Sequence, residues 1–140
     1  MPRNPPILPV INAGAVSKMV EFLQRHDEPK LQSEAAWVLV NITSSTYVQT
    51  VIAAGAVPLL INLLASSLHL DVRENVAHAL GNIAGDSAQH RNLLLAAGVL
   101  PPLLVQLSIK PDAGAIPFTR AATFLLYVCL LSTLFDGWSN

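Results

Sequence analysis

The chain has 140 residues, 52% of them hydrophobic and 12% charged, with a net charge of −1. That length bounds one domain with room for a core, and the near-neutral charge leaves no electrostatic footprint for nucleic acid. Cys129 is the single cysteine, which excludes an intramolecular disulfide and fits a reducing compartment. The charged fraction is about half of the ~25% usual in soluble domains, as expected of a piece of a longer stacked array with exposed ends. The opening residues Met-Pro-Arg-Asn-Pro-Pro lack the apolar stretch of a secretory signal.

Residues 1–9 carry four prolines and are predicted to be extended or irregular. Across residues 15–25, Val16, Met19, Val20 and Leu23 follow the i, i+3, i+4, i+7 stripe of a helix. Pro29 then stands where a new helix can begin. A longer helix is predicted over 31–42, broken by Ser44 and Ser45. A short helix over 47–54 stops at Gly55. Another follows over 57–64, with Pro58 tolerated in its first turn. The spacing predicts a third over 71–84, with Asp71 as N-cap and Gly85 as its end. The cycle restarts with 87–97, Gly98, and 99–107, which carries Pro101 and Pro102 near its start. The run 121–135 has no charged residue. It is shorter than the ~20 residues that span a bilayer, so it reads as a solenoid helix entering a divergent tail.

The chain also repeats itself. Glu-Ala-Ala-Trp-Val-Leu-Val-Asn-Ile at 34–42 aligns with Asn-Val-Ala-His-Ala-Leu-Gly-Asn-Ile at 75–83, placing Asn41 on Asn82 and Trp37 on His78. Ala-Gly-Ala-Val recurs at 13–16 and 54–57, and Ala-Gly-Val-Leu stands at 97–100. A period of about 40 to 47 residues in an all-helical pattern points to armadillo or HEAT repeats. The order of short helix, glycine, helix, loop and long helix favours the three-helix armadillo unit. The expected fold is therefore all-α, a right-handed armadillo solenoid of about two and a half repeats. Its units lie near 11–46, 47–86 and 87–128, between an extended segment at 1–10 and a divergent tail at 129–140. Such a solenoid offers a binding surface.

In each long helix the aromatic or imidazole side chain and the asparagine are four residues apart, so they project from one face. An asparagine amide offers donors and an acceptor, and on an exposed face it can hold the backbone of an extended peptide. A tryptophan one turn earlier gives a flat wall for the stem of a lysine or arginine, with cation–π attraction at its head. Asp86, four residues after Asn82, is placed to complete a lysine pocket. Each residue also has a plainer use. Trp37 and Asn41 suit a core and a cap, His78 an ordinary helix surface, and Asp86 a cap for the helix starting near Ser87. His26, His69, His78 and His90 lie on different elements. No phosphate loop, metal-ligand spacing or Ser/His/Asp set stands out, so the chain reads as neither an enzyme nor a cofactor binder.

The runs Trp-Val-Leu-Val-Asn-Ile-Thr-Ser-Ser-Thr-Tyr-Val-Gln-Thr (37–50), Gly-Ala-Val-Pro (55–58), Ala-Leu-Gly-Asn-Ile-Ala-Gly-Asp-Ser (79–87) and Leu-Pro-Pro-Leu-Leu (100–104) closely resemble importin alpha. That family is the adaptor that reads nuclear localization signals. The resemblance covers roughly residues 5–126 and looks like the second, third and part of the fourth armadillo repeats, where the family builds its larger signal site. It implies peptide contacts at Trp37, Asn41, Asn82 and Asp86, with Thr50 lining the lysine pocket. It also implies a backbone carbonyl at Ser45, where the family has glycine. His78 stands in place of a tryptophan. In the next repeat Phe124 falls on the tryptophan and Val128 on the asparagine, and from Cys129 onward the resemblance ends.

The resemblance implies a nuclear import adaptor that binds lysine-rich signals on a concave face, shuttles between cytoplasm and nucleus, and needs no nucleic acid or membrane. The family's importin-beta-binding basic segment and its later repeats are not found in this sequence, so direct importin beta recruitment is not expected. The change near Thr123 suggests a truncated or alternatively read product. Transcripts reading through that point in one exon, with the same tail in close relatives, would count against that. Another armadillo interaction scaffold and a non-functional product are the alternatives.

Overall fold

Proline placement and left-handed glycines divide this chain into short helices, because each proline fits only a first turn and each such glycine ends a helix. The structure, a computed structural model, describes residues 6–109 and 116–136, without the side chains of residues 132, 133, 135 and 136. The described residues form nine helices and no strand. They are α1 (Ile7–Asn12), α2 (Ala15–Phe22), α3 (Pro29–Thr43), α4 (Val48–Ala53), α5 (Ala56–Ser66), α6 (Leu70–Asp86), α7 (Ala88–Ala96), α8 (Leu100–Ser108) and α9 (Ile116–Asp136). They fall into sets of two shorter helices and one long one, the three-helix unit expected from the repeat.

Most helix ends shift by one or two residues from the sequence reading, and three differ in kind. The extended reading of residues 1–9 gives way at Ile7, where α1 begins. Pro9 occupies its first turn, where an N–H would have no helical partner in any case. Residues 1–5 lie outside the described residues, as does 137–140 of the expected tail. Asp71 is not the N-cap of α6. His69 is, with no side-chain capping bond, and Asp71 sits in the first turn, where its charge favours the helix dipole. Gly85 does not end α6, which continues to Asp86. Gly14, Gly55 and Gly98 all have φ between 82° and 85°. That left-handed backbone lets α1, α4 and α7 stop and turn sharply into the next helix.

The long helices stack in order, α3 on α6 and α6 on α9, while α5 and α8 back them. Leu39 of α3, Leu60, Leu63 and Leu64 of α5, Leu80 and Ile83 of α6, Leu94 and Leu103 of α7 and α8, and Leu125 of α9 are fully buried in one core. Each helix thus buries a stripe against the next unit, which is how a solenoid makes a core that no single unit could close. Among the described residues no single helix is long and apolar enough to cross a membrane.

Candidate functional site

The exposed edges of α3, α6 and α9 lie side by side, so the repeat positions of the sequence become neighbours in space. Trp37 on α3 is 49% exposed, and Asn41, one turn on, is exposed as well. The Asn41 Nδ2 donates to the Trp37 carbonyl at 3.0 Å, bracing the pair on its own helix. His78 is exposed on α6 at the position matching Trp37.

Asn82 behaves differently from Asn41. It is half-buried, and its Nδ2 donates across the helix interface to the Val40 carbonyl at 3.1 Å and to Thr43 Oγ1 at 3.3 Å. Two turns earlier the Asn75 Nδ2 donates to the Ser33 carbonyl and to Ser33 Oγ, each at 3.1 Å. These two amides stitch α6 to α3. The expectation that both repeat asparagines offer a whole amide to a ligand is therefore modified. At Asn82 the donor side is taken by the fold, and the Oδ1 remains.

One open groove of about 330 Å³ gathers Ser45 with Thr43 and Ser44 from the end of α3, Gly81, Asn82, Gly85 and Asp86 from α6, and Phe124 from α9. Its volume lies at the lower end for small-ligand sites. Phe124 is 47% exposed and turns the Cδ1–Cε1 edge of its ring toward α6. A Cβ built on Gly81 would meet the ring at 3.0 Å, and one on Gly85 would be 4.0 Å from its Cζ. The two glycines let the ring stand edge-on against α6, close to Asp86 in the groove. A second groove of about 350 Å³ lies on the other side of the ring, lined by Glu74, His78, Pro117, Arg120, Ala121 and Phe124. Phe124 is thus a wall shared by both.

Of the seven residues singled out from the sequence, Ser45, Asn82 and Asp86 share one groove and His78 lines its neighbour. Trp37, Asn41 and Thr50 line neither. Thr50 is half-buried in α4. The Ser45 Oγ donates to the Ile42 carbonyl and accepts the Tyr47 N–H at 3.2 Å, shaping the turn between α3 and α4. Val128, aligned with the repeat asparagine, is buried in the core.

Asp86 is not the cap of α7. That role belongs to Ser87, whose side chain accepts from the His90 N–H at 3.1 Å. The Asp86 Oδ2 instead lies 2.9 Å from His90 Nδ1, and His90 Nε2 lies 3.2 Å from Gln49 Oε1. Sequence reasoning missed this chain of contacts, although the i, i+4 spacing of Asp86 and His90 was available to it. It also missed Arg73, which donates to Gln106 Oε1 at 2.7 Å and lies 5.4 Å from the Phe118 ring, joining α6 to α8 and α9.

Residues 3–44 and 45–85 each match the model of the Armadillo/beta-catenin-like repeat. Over 126 residues the chain is 49% identical to importin subunit alpha-1b of Oryza sativa subsp. japonica and 51% identical to importin subunit alpha-2 of Arabidopsis thaliana. Each alignment covers 89% of this chain and 23% of the relative, so the chain spans about a quarter of those relatives' length. The fold is similar to a designed armadillo repeat protein in complex with the peptide (KR)4, at a TM-score of 0.77 and 29% identity, covering 87% of this chain and 49% of that one. The likeness to importin alpha read from residues 37–50 and 79–87 holds over most of the chain.

Proposed function

Because this chain belongs to the Armadillo/beta-catenin-like repeat family, we propose that it binds extended lysine-rich peptides of the nuclear localization type along the edges of α3, α6 and α9. In this reading it serves the cytoplasm and nucleus as an import adaptor, as its likeness to importin alpha subunits suggests. The observation that carries it is the groove in which Asp86, Asn82 and Phe124 converge.

The chemistry is that of a pocket for one ammonium group. Asp86 supplies the charge. The Phe124 ring supplies a face for the methylene stem and cation–π attraction worth about 0.5–2 kcal/mol. The Asn82 Oδ1 accepts a peptide N–H, since its Nδ2 is held by α3. Ser45, through its carbonyl, and Thr50 complete the lysine pocket on the strength of the family resemblance. Trp37, with Asn41 beside it, is a second wall for a basic side chain further along. His78, in the place of a tryptophan, is a smaller wall that becomes cationic on protonation. One aromatic wall lost costs about two- to thirtyfold in affinity.

The test is a fluorescence titration of the purified chain with an acetylated, amidated lysine-rich peptide, beside an Asp86→Lys variant of equal helicity. Binding by the parent and at least tenfold weaker binding by the variant supports the pocket. Equal binding by both would remove Asp86 from the site, and a helical parent that binds nothing would end the proposal.

A further inference from the structure

The Asp86 carboxylate already has a partner, and the nature of that partner controls what else it can hold. The His90 ring lies between two acceptors, Asp86 Oδ2 at 2.9 Å and Gln49 Oε1 at 3.2 Å. A carboxylate only accepts, and so does an amide oxygen. Both contacts are satisfied together when both ring nitrogens carry protons, which is the imidazolium. A neutral ring keeps the Asp86 contact through Nδ1–H and meets Gln49 only if that amide turns its nitrogen inward. Which way an amide points is an assignment made from such contacts, so two states are open to this cluster and they differ by one proton.

Three elements build the arrangement. Asp86 closes α6, His90 stands in the first turn of α7, and Gln49 comes from α4, 41 positions away in the chain. The His90 side chain is only 13% exposed, whereas Asp86 opens to the groove. Arg91 follows His90 on α7, and the thiol it influences, Cys129, comes from α9 packed against that helix. Asp86 is therefore the one acidic group in contact with the ring among the described residues.

We propose that His90 competes with an incoming lysine for Asp86, so that the groove accepts a basic side chain more readily as His90 loses its proton. This rests on the peptide-binding reading above. The imidazolium occupies Oδ2 and offsets the carboxylate charge that an ammonium would meet. The neutral ring keeps a hydrogen bond that orients the carboxylate and leaves its charge available. By linkage, a peptide lysine seated on Asp86 drives a proton off His90. His90 is a positioning residue here, since it acts on the ligand through Asp86.

The experiment is a titration with the acetylated, amidated, histidine-free lysine peptide at about pH 5.5 and about pH 8, the range over which imidazoles change charge. It uses the whole chain and its His90→Gln, His78→Gln and Asp86→Asn variants. The parent is expected to bind about two- to fivefold more tightly at the higher pH, the size of a partly exposed ion pair. Because His78 borders the site and also gains charge on protonation, the comparison is read in a His78→Gln background, where the dependence should persist with His90 and vanish with His90→Gln. Asp86→Asn should weaken binding at both pH values, since the carboxylate that the ring and the lysine share is gone. A pH dependence that survives His90→Gln in the His78→Gln background would overturn the proposal. A parent that binds equally at both pH values also overturns it while the receptor reading stands. A parent that binds at neither removes both.

Discussion

Asn41 and Asn82 occupy the same place in successive repeats, and replacing each with alanine separates what the fold asks of them. The Asn82 amide makes two bonds to α3, to the Val40 carbonyl and to Thr43 Oγ1. Each is worth about 0.5–1.5 kcal/mol net. Neither acceptor is orphaned by the change. The Val40 carbonyl still accepts from the Ser44 N–H at 3.0 Å, and Thr43 Oγ1 still donates to the Leu39 carbonyl at 2.8 Å. The loss is then about 1–2 kcal/mol, near the lower part of the summed range. The Asn41 amide bonds only its own helix, at an exposed position, so its removal costs at most about 0.5 kcal/mol. Both variants gain a similar helix-propensity term of about half a kcal/mol, which cancels in their difference.

Asn82→Ala should therefore be about 0.5–2 kcal/mol less stable than Asn41→Ala. For a domain of this size that is a gap of roughly 2–7 °C in Tm. Urea titration with equal slopes for the two variants, supported by thermal melts, reads it directly. Equal stability would refute the claim that Asn82 joins α6 to α3, and would leave it a purely ligand-facing residue. A slope change would instead mean that the stack had loosened before the global transition.

Further expectations concern the core, the turns and the buried thiol. Leu80→Ala, at a fully buried site on α6, should cost about 3–5 kcal/mol in denaturant unfolding, while Leu68→Ser, at a residue 92% exposed, should stay within about 0.5 kcal/mol. Gly55→Ala meets no atom within 4 Å, yet its φ of +82° strains an L side chain. The expected loss of about 1 kcal/mol would be disproved by a neutral or stabilising result in urea. Burial pushes the Cys129 thiol above its ordinary pKa, with Arg91 opposing less strongly. The folded chain then holds that proton more tightly than the unfolded one, so this group's contribution to stability falls as pH rises through the thiol range. Cys129→Ala should flatten the alkaline part of the stability curve relative to the parent, and a thiol reagent should modify the parent only as fast as it unfolds.

The helices were legible because the signals that make them are local. The stripe of Val16, Met19, Val20 and Leu23, and the glycines that open α2 and α5 and precede α8, act over one turn. The start of α1 was missed because Pro5, Pro6 and Pro9 read as a bar to helix, whereas Pro6 is the N-cap and Pro9 lies in the first turn, where proline is tolerated. The end of α6 was misplaced for a different reason. Gly85 reads as a stop, but no left-handed turn follows it. Phe124 instead stands beside it, its Cζ 4.0 Å from where a Gly85 Cβ would lie, a neighbour nearly forty positions away. The same distance hid the stitches from Asn75 and Asn82 and the Gln49–His90 contact. Residue types at repeat spacing pointed to one exposed face of the solenoid, but not to the division of the Asn82 amide between a donor taken by α3 and an Oδ1 left over.

That division explains why the groove forms beside α9 although the asparagine of the repeat is lost there. Val128 stands where Asn41 and Asn82 stand, and it is buried, so α9 meets the core through apolar contact at that register. An amide there would need partners or would cost about 1–3 kcal/mol unsatisfied. Phe124, one turn earlier, faces outward over Gly81 and Gly85 and keeps an aromatic wall at the position where the repeat places one. Tryptophan would offer a larger face, but the 3.0 Å approach a Cβ on Gly81 would make to the Phe124 ring shows how little space the wall leaves above α6. Phe124→Trp is accordingly expected to strengthen binding of the lysine peptide only if the indole seats over the same two glycines. A gain of about two- to fivefold with unchanged stability would show that it does. A loss of both binding and stability would show that the glycine floor is shaped for a phenyl ring.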